Sequence, residues 1–147
     1  MRVLVCGGRD YGNLARCEGG RSHPDWPQKE WEYRHIMATL NRLSLDWPRL
    51  PEDEYGNWLP DVFIMSGGAP GVDSVAIDWA VVNWCRGKKY KAEWNKYGGK
   101  AGPIRNKRML EDGKPDVVIA FPGGSGTANM VMLAKRAGVP VIEISAD

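Results

Sequence analysis

Four short runs along the chain are apolar at nearly every position instead of alternating: "RVLVC" (2–6), "DVFIM" (61–65), "DVVIAF" (116–121) and "PVIEI" (140–144). Runs of this kind suit strands covered on both faces, as in a parallel sheet. Between them the apolar positions move to helical spacing. Ile36, Leu40 and Leu43 predict a helix from Lys29 to about Leu45, and Val75, Ala76, Trp79, Ala80 and Asn83 mark one face of a helix from Val72 to about Cys85. A third helix is predicted from Pro103 to about Asp112, with proline at the first position, where its missing N–H costs nothing. A fourth runs from Thr127 to Ala137 and is closed by Gly138. "KKYKAEW" (88–94) alternates and predicts an edge strand. Residues 12–28 and 46–60 are rich in glycine, proline and polar groups and predict connections.

Apolar strands alternating with amphipathic helices predict an α/β fold: a Rossmann-like, doubly wound parallel sheet of about five strands. A chain of 147 residues has room for one domain, with no internal repeat or linker. The stretch from 12 to 60 is longer than such a domain requires, and long loops are often functional. In these sheets ligands bind beyond the carboxyl ends of the strands.

Composition changes this picture little. Hydrophobic residues at 43% and charged residues at 26% are ordinary for a soluble globular protein. The net charge of +2 gives no overall basic field of the kind that marks a duplex DNA binder, though local basic clusters remain open. The apolar run in "MRVLVCGGRD" is far too short for a signal peptide or a spanning helix, so a cytoplasmic protein without membrane contact is expected. Cys6, Cys17 and Cys85 form no CxxC pair, and no metal or cofactor is called for by any ligand cluster. His23 and His35 are isolated and receive no role.

The candidate chemistry lies in three glycine loops, each ending an apolar run. They are "CGGRDY" with Gly7, Gly8, Arg9 and Asp10; "SGGAPGVD" with Ser66, Gly67, Gly68, Gly71 and Asp73; and "PGGSGT" with Pro122, Gly123, Gly124, Ser125, Gly126 and Thr127. Glycines permit positive φ and close backbone approach, and the N–H groups opening the next helix are unpaired and partly positive. That makes an anion site. The alternative is a tight strand-to-helix turn with Ser125 or Thr127 as N-cap. None of the loops matches GxGxxG with its later acid or the GxxxxGK[ST] phosphate loop.

In "GPIRNKRML", Arg105 falls in the predicted first turn of its helix, where the dipole disfavours a cation unless an anion is bound. Arg108, three residues on, can share that face, and bidentate arginine suits phosphate or carboxylate; Lys107 faces solvent. Asp73 either accepts from ribose hydroxyls or complements its helix dipole. Arg9 and Asp10 either touch a ligand or pair locally, and Tyr11 and Asn13 are weaker candidates. Trp26, Trp31, Trp47 and Trp58, in or beside the insertion, are a lid that stacks on a base, a patch that pairs subunits, or packing.

With "VLVCGGRDY", "SGGAPGVDSVAIDWA", "AGPIRNKRML" and "VVIAFPGGSGT" in this order, the chain resembles the SLOG superfamily of Rossmann-like nucleotide-binding proteins, specifically its YspA-like, cpYpsA-related branch. The resemblance implies a small nucleotide-like ligand, a sensor or sequestering role and a homo-oligomer. "PGGSGT" and "RNKRM" are also similar to motifs of the Lonely Guy phosphoribohydrolases, which implies N-glycosidic cleavage of a nucleoside monophosphate or NAD-like molecule. Met130 stands where that family has its glutamate, so cleavage requires another acid, such as Asp10 or Asp73. "SGGAPGVD" is similar to a loop of the DNA-processing protein A family, which implies single-stranded nucleic acid as a third class of ligand.

Overall fold

The computed structural model describes residues 1–146. Five strands, β1 (Arg2–Cys6), β2 (Phe63–Ser66), β3 (Arg86–Lys89), β4 (Val117–Ala120) and β5 (Val141–Glu143), form one sheet in the order β3-β2-β1-β4-β5. Every pairing is parallel, with Val3 opposite Ile64 on one side and Val117 on the other. The helices are α1 (Trp26–Ser44), α2 (Val72–Val82), the single turn α3 (Trp94–Tyr97), α4 (Ala101–Gly113) and α5 (Ser125–Arg136). The expected doubly wound α/β fold is what the chain adopts.

Successive strand residues point to opposite faces, and β1 shows how two cores result. Val3 and Val5 join Ile36 and Leu40 of α1 and Val72, Val75, Ala76 and Trp79 of α2. Leu4 and Cys6 join Met65, Met109 of α4, and Met130 and Ala134 of α5. Each large apolar side chain buried this way contributes roughly 1.5–3 kcal/mol. Both faces of β1 are therefore dry, which is why its sequence does not alternate.

The helix boundaries differ from expectation in instructive ways. α1 opens at Trp26 instead of Lys29, because Pro27 lies within its first two positions and its fixed φ suits a helix start. A 3-10 turn over Gly98–Lys100 runs straight into α4, which opens at Ala101 instead of Pro103. Arg105 is thus the fifth residue of α4, beyond the first turn, and the dipole argument for it does not hold. α2 ends at Val82, and Cys85 N–H returns to the Ala80 carbonyl at 2.8 Å.

The predicted edge strand is β3, "RGKK", at the edge opposite β5, all four residues exposed, and it does not continue to Trp94. Its partner β2 ends at Ser66, whose carbonyl takes the Tyr90 N–H at 2.8 Å; Gly68 then turns away with φ +72°. Residues beyond Tyr90 have no strand to pair with. In the insertion, Leu14–Arg16 and Gly20–Ser22 form 3-10 turns and Arg49 bridges Pro60. Among the described residues no helix is long and apolar enough to cross a membrane.

Candidate functional site

The chain reverses direction across the sheet between β1 and β4, and a crevice opens there at the carboxyl ends of the strands. It holds a cavity of about 850 Å³. Residues from all three glycine loops line it: Gly7 to Tyr11 after β1, Gly67, Ala69 and Asp73 after β2, and Pro122 to Thr127 after β4. Arg105, Asn106 and Met109 of α4 and Asn129 of α5 complete that side.

The glycines fall into two classes. Gly7, Gly67, Gly71 and Gly123 leave no room for a side chain: a Cβ on Gly71, whose φ is +77°, would press on the carbonyls of Gly8 and Arg9, and one on Gly123 would meet Thr127 Oγ1 and Gly8 N. They let the loops interlock, with Gly8 N–H on Pro122 O at 2.8 Å and Val72 N–H on Gly8 O at 3.2 Å. Gly124 and Gly126 are different. A Cβ on either would meet nothing within 4 Å, so packing within the protein does not require glycine there. Neither expected cap is formed: Gly124 is the N-cap of α5, Ser125 is its first residue, and no side chain caps the helix. The first turn also carries no acidic residue.

Arg105 is held in place through half of its guanidinium. Nη1 donates to the carbonyls of Gly67 (2.6 Å) and Tyr90 (3.2 Å), and Nε donates to Asn106 Oδ1 (3.0 Å). Nη2 has no partner among the described residues, which leaves two donors at the cavity wall. Asn106, 4% exposed, donates through Nδ2 to Gly126 O (3.1 Å) and Asn129 Oδ1 (3.0 Å), tying α4 to the start of α5.

Asp73 is 5% exposed. Its Oδ2 accepts the Ala69 N–H at 3.1 Å, and Ser66 Oγ donates to its backbone carbonyl at 3.1 Å. Burial pushes its carboxyl up to about 6, against the opposing pull of the Ala69 N–H and of Arg105 and Arg9. No ion pair with Arg105 forms among the described residues, although both side chains crowd the space beside Gly67, where a Cβ would be 2.6 Å from the guanidinium carbon and 2.8 Å from Asp73 Oδ2. On the cavity floor, burial pushes the Cys6 thiol up to about 12, so it stays protonated.

Among the cavity residues that were not anticipated, three are Glu32, Lys29 and Trp94. Glu32, 6% exposed on α1, accepts from Gly12 N (2.7 Å), Gln28 Nε2 (3.1 Å) and Lys29 Nζ (2.9 Å), and these contacts hold its carboxyl below the usual range although burial opposes them. Lys29 also bridges to Asp10 at 2.9 Å, and Arg16 pairs with the same carboxylate. Asp10 is therefore engaged in local ion pairs. The third is Trp94, at the cavity rim. Trp26, Trp31, Trp47 and Trp58 do not line the cavity: Trp47 packs edge-on against Trp79 at 5.7 Å, Trp31 stacks on His35 at 5.0 Å, and Trp58 lies under the Arg49 guanidinium.

Ser66, Gly68, Gly71 and Arg108 also lie outside the lining. Arg108 turns away, with Nη2 on the Lys91 carbonyl at 3.0 Å, so it does not join Arg105 at the cavity. Charge nevertheless concentrates on this side. Nine of the chain's 20 basic residues and one of its 18 acidic residues fall between Arg86 and Arg108, so this stretch carries +8 while the whole chain carries +2.

The family model for the YspA, cpYpsA-related SLOG family matches residues 1–97, which include the first two glycine loops and end before "PGGSGT". The chain belongs to this SLOG family. The Gene 61 protein of Mycobacterium phage D29 is 34% identical over 120 residues, covering 74% of this chain and 94% of its own length. Among solved structures, UDP-GlcNAc 2-epimerase from Neisseria meningitidis, bound to UDP-GlcNAc, is similar at a TM-score of 0.44 and 16% identity. That similarity covers 99% of this SLOG chain and 32% of the epimerase chain.

Proposed function

We propose that the cavity binds a nucleotide or nucleotide-derived ligand, with its phosphate on Gly123 to Thr127, Arg105 Nη2 clamping it, and its ribose beside Gly67 to Asp73. The observation that carries this reading is the first turn of α5, which opens on the cavity with no side-chain cap and no acidic residue. Its N–H groups and the helix dipole attract an anion. Gly124 and Gly126 keep the approach to that turn clear. The +8 stretch beside it draws anions toward the cavity, and about 850 Å³ is ample for a mononucleotide. The role that fits is a sensor or sequestering protein.

The test is the melting temperature against a panel of nucleoside monophosphates, NAD, ADP-ribose and a short single-stranded oligonucleotide, since a ligand of the folded state must raise it. Arg105→Ala removes charge-assisted hydrogen bonds worth about 1.5–3 kcal/mol, so the affinity of the active ligand is expected to fall tenfold or more by calorimetry. Unchanged affinity would place the phosphate elsewhere.

A second reading is hydrolysis of an N-glycosidic bond in the same ligand. Asp73 favours it, as a buried acid in the cavity wall whose carboxyl near 6 can exchange a proton at neutral pH. Met130 is 1% exposed within the α4–α5 core and takes no part. Chromatography of the incubated ligand separates the readings: free base appears with wild type and not with Asp73→Asn if the protein is a hydrolase, and intact ligand is recovered if it is a binder.

A further inference from the structure

Most of the cavity wall is glycine, backbone or polar side chain, and Trp94 is the exposed aromatic in it, at 46%. It opens the single turn α3 and leans on the start of α4: a Cβ on Gly102 would lie 3.4 Å from its Cη2. That is ordinary van der Waals spacing, so the indole rests against the start of the helix without a clash. Over its other atoms lies the Arg9 guanidinium, 5.0 Å from the ring centroid. A planar cation already occupies a face that is open to the cavity mouth.

We propose that the indole of Trp94 is the stacking platform for the planar heteroaromatic ring of the ligand, a purine or pyrimidine base. This rests on the reading of the cavity as a nucleotide site and adds the subsite for the base. Magnitudes decide between the two occupants of the ring face. An exposed cation–π contact holds its partner by a factor of about two to five, whereas stacking a base on an aromatic side chain is worth roughly 5- to 150-fold. The base displaces Arg9, and Arg9, exposed and without a carboxylate partner among the described residues, stays beside the phosphate as a second cation. Pro103 and Met109 add apolar surface to the wall on the same side.

The experiment titrates wild type, Trp94→Ala and Trp94→Phe with adenosine monophosphate and with ribose 5-phosphate, which lacks the ring. The half-exposed position makes both variants compatible with folding. Wild type is expected to bind the nucleotide more tightly than the sugar phosphate. Trp94→Ala is expected to weaken the nucleotide about fivefold or more and the sugar phosphate less than twofold, and Trp94→Phe to restore most of the difference. Equal loss of both probes, no loss of either, or a phenylalanine variant as weak as alanine overturns the stacking role. A wild type that binds ribose 5-phosphate as tightly as the nucleotide overturns it too, while the phosphate site stands. Binding of neither probe by the wild type removes the nucleotide reading and the subsite together.

Discussion

Gly71→Ala is expected to destabilise the fold by about 3 kcal/mol, whereas Gly126→Ala, fifty-five residues further along in a loop of similar composition, is expected to stabilise it by up to about 1 kcal/mol. The reason is local. At Gly71 the backbone sits at φ +77°, where an L residue is strained, and an added Cβ would lie 2.6 Å from the Arg9 carbonyl oxygen and closer still to that of Gly8. The first loop cannot retreat, because Gly8 is bonded on its other side to Pro122. At Gly126 the backbone is helical and nothing lies within 4 Å, so alanine gains helix propensity without a clash. Thermal melts measure both, at about 4 °C per kcal/mol for a domain of this size. If the first turn of α5 holds the phosphate, Gly126→Ala is more stable yet binds more weakly, because its methyl group enters the space in front of the N–H groups. An increase in stability with unchanged affinity would mean that the anion lies elsewhere.

Those two glycines also show what can be read in the chain and what cannot. Apolar runs that fail to alternate identify β1, β2 and β4, since burial on both faces leaves its mark on nearly every residue, and "PVIEI" identifies β5 although Ile142 and Glu143 are exposed at the sheet edge. β3 leaves none: "RGKK" is a strand because β2 offers it an edge, and its side chains all face solvent. Glycine-rich ends of strands pointed to the cavity, but composition cannot separate a glycine required by loop packing from one left open. Only the neighbours of Gly71 and Gly126 do that. Glu32 and Lys29 were invisible because they lie on the polar side of a predicted helix, and they reach the cavity only when α1 folds back beneath Gly12. Trp94 was hidden in an apparent strand that ends early for want of a partner. Arg105 was found for a reason that fails, its place in the first turn, and the contacts that hold it come from Gly67, Tyr90 and Asn106.

Asp73→Asn is expected to raise stability by up to about 3 kcal/mol at pH 7.5 and by almost nothing near pH 4. The folded-state carboxyl lies at about 6, raised first by burial, and the unfolded value is about 3.9. A raised carboxyl stabilises the fold fully below the unfolded value, and that contribution is lost as pH rises through 6. Two units at 1.36 kcal/mol each give the upper figure, and asparagine escapes the loss because it has no charge to keep buried while its oxygen still accepts from Ala69. Melts of the two proteins from pH 4 to pH 8 should therefore diverge between 4 and 7.5; parallel curves would mean that the carboxylate is not strained. The ligand is expected to act on the same strain. A ribose hydroxyl donating to Asp73 satisfies the buried charge, so a ribose-containing ligand gains affinity as pH rises through 6. Inorganic phosphate, which has no such hydroxyl and is repelled by the carboxylate, does not gain from that ionisation. Comparing the two anions in wild type and Asp73→Asn across this range separates a carboxylate kept for its ligand from one that merely opens α2.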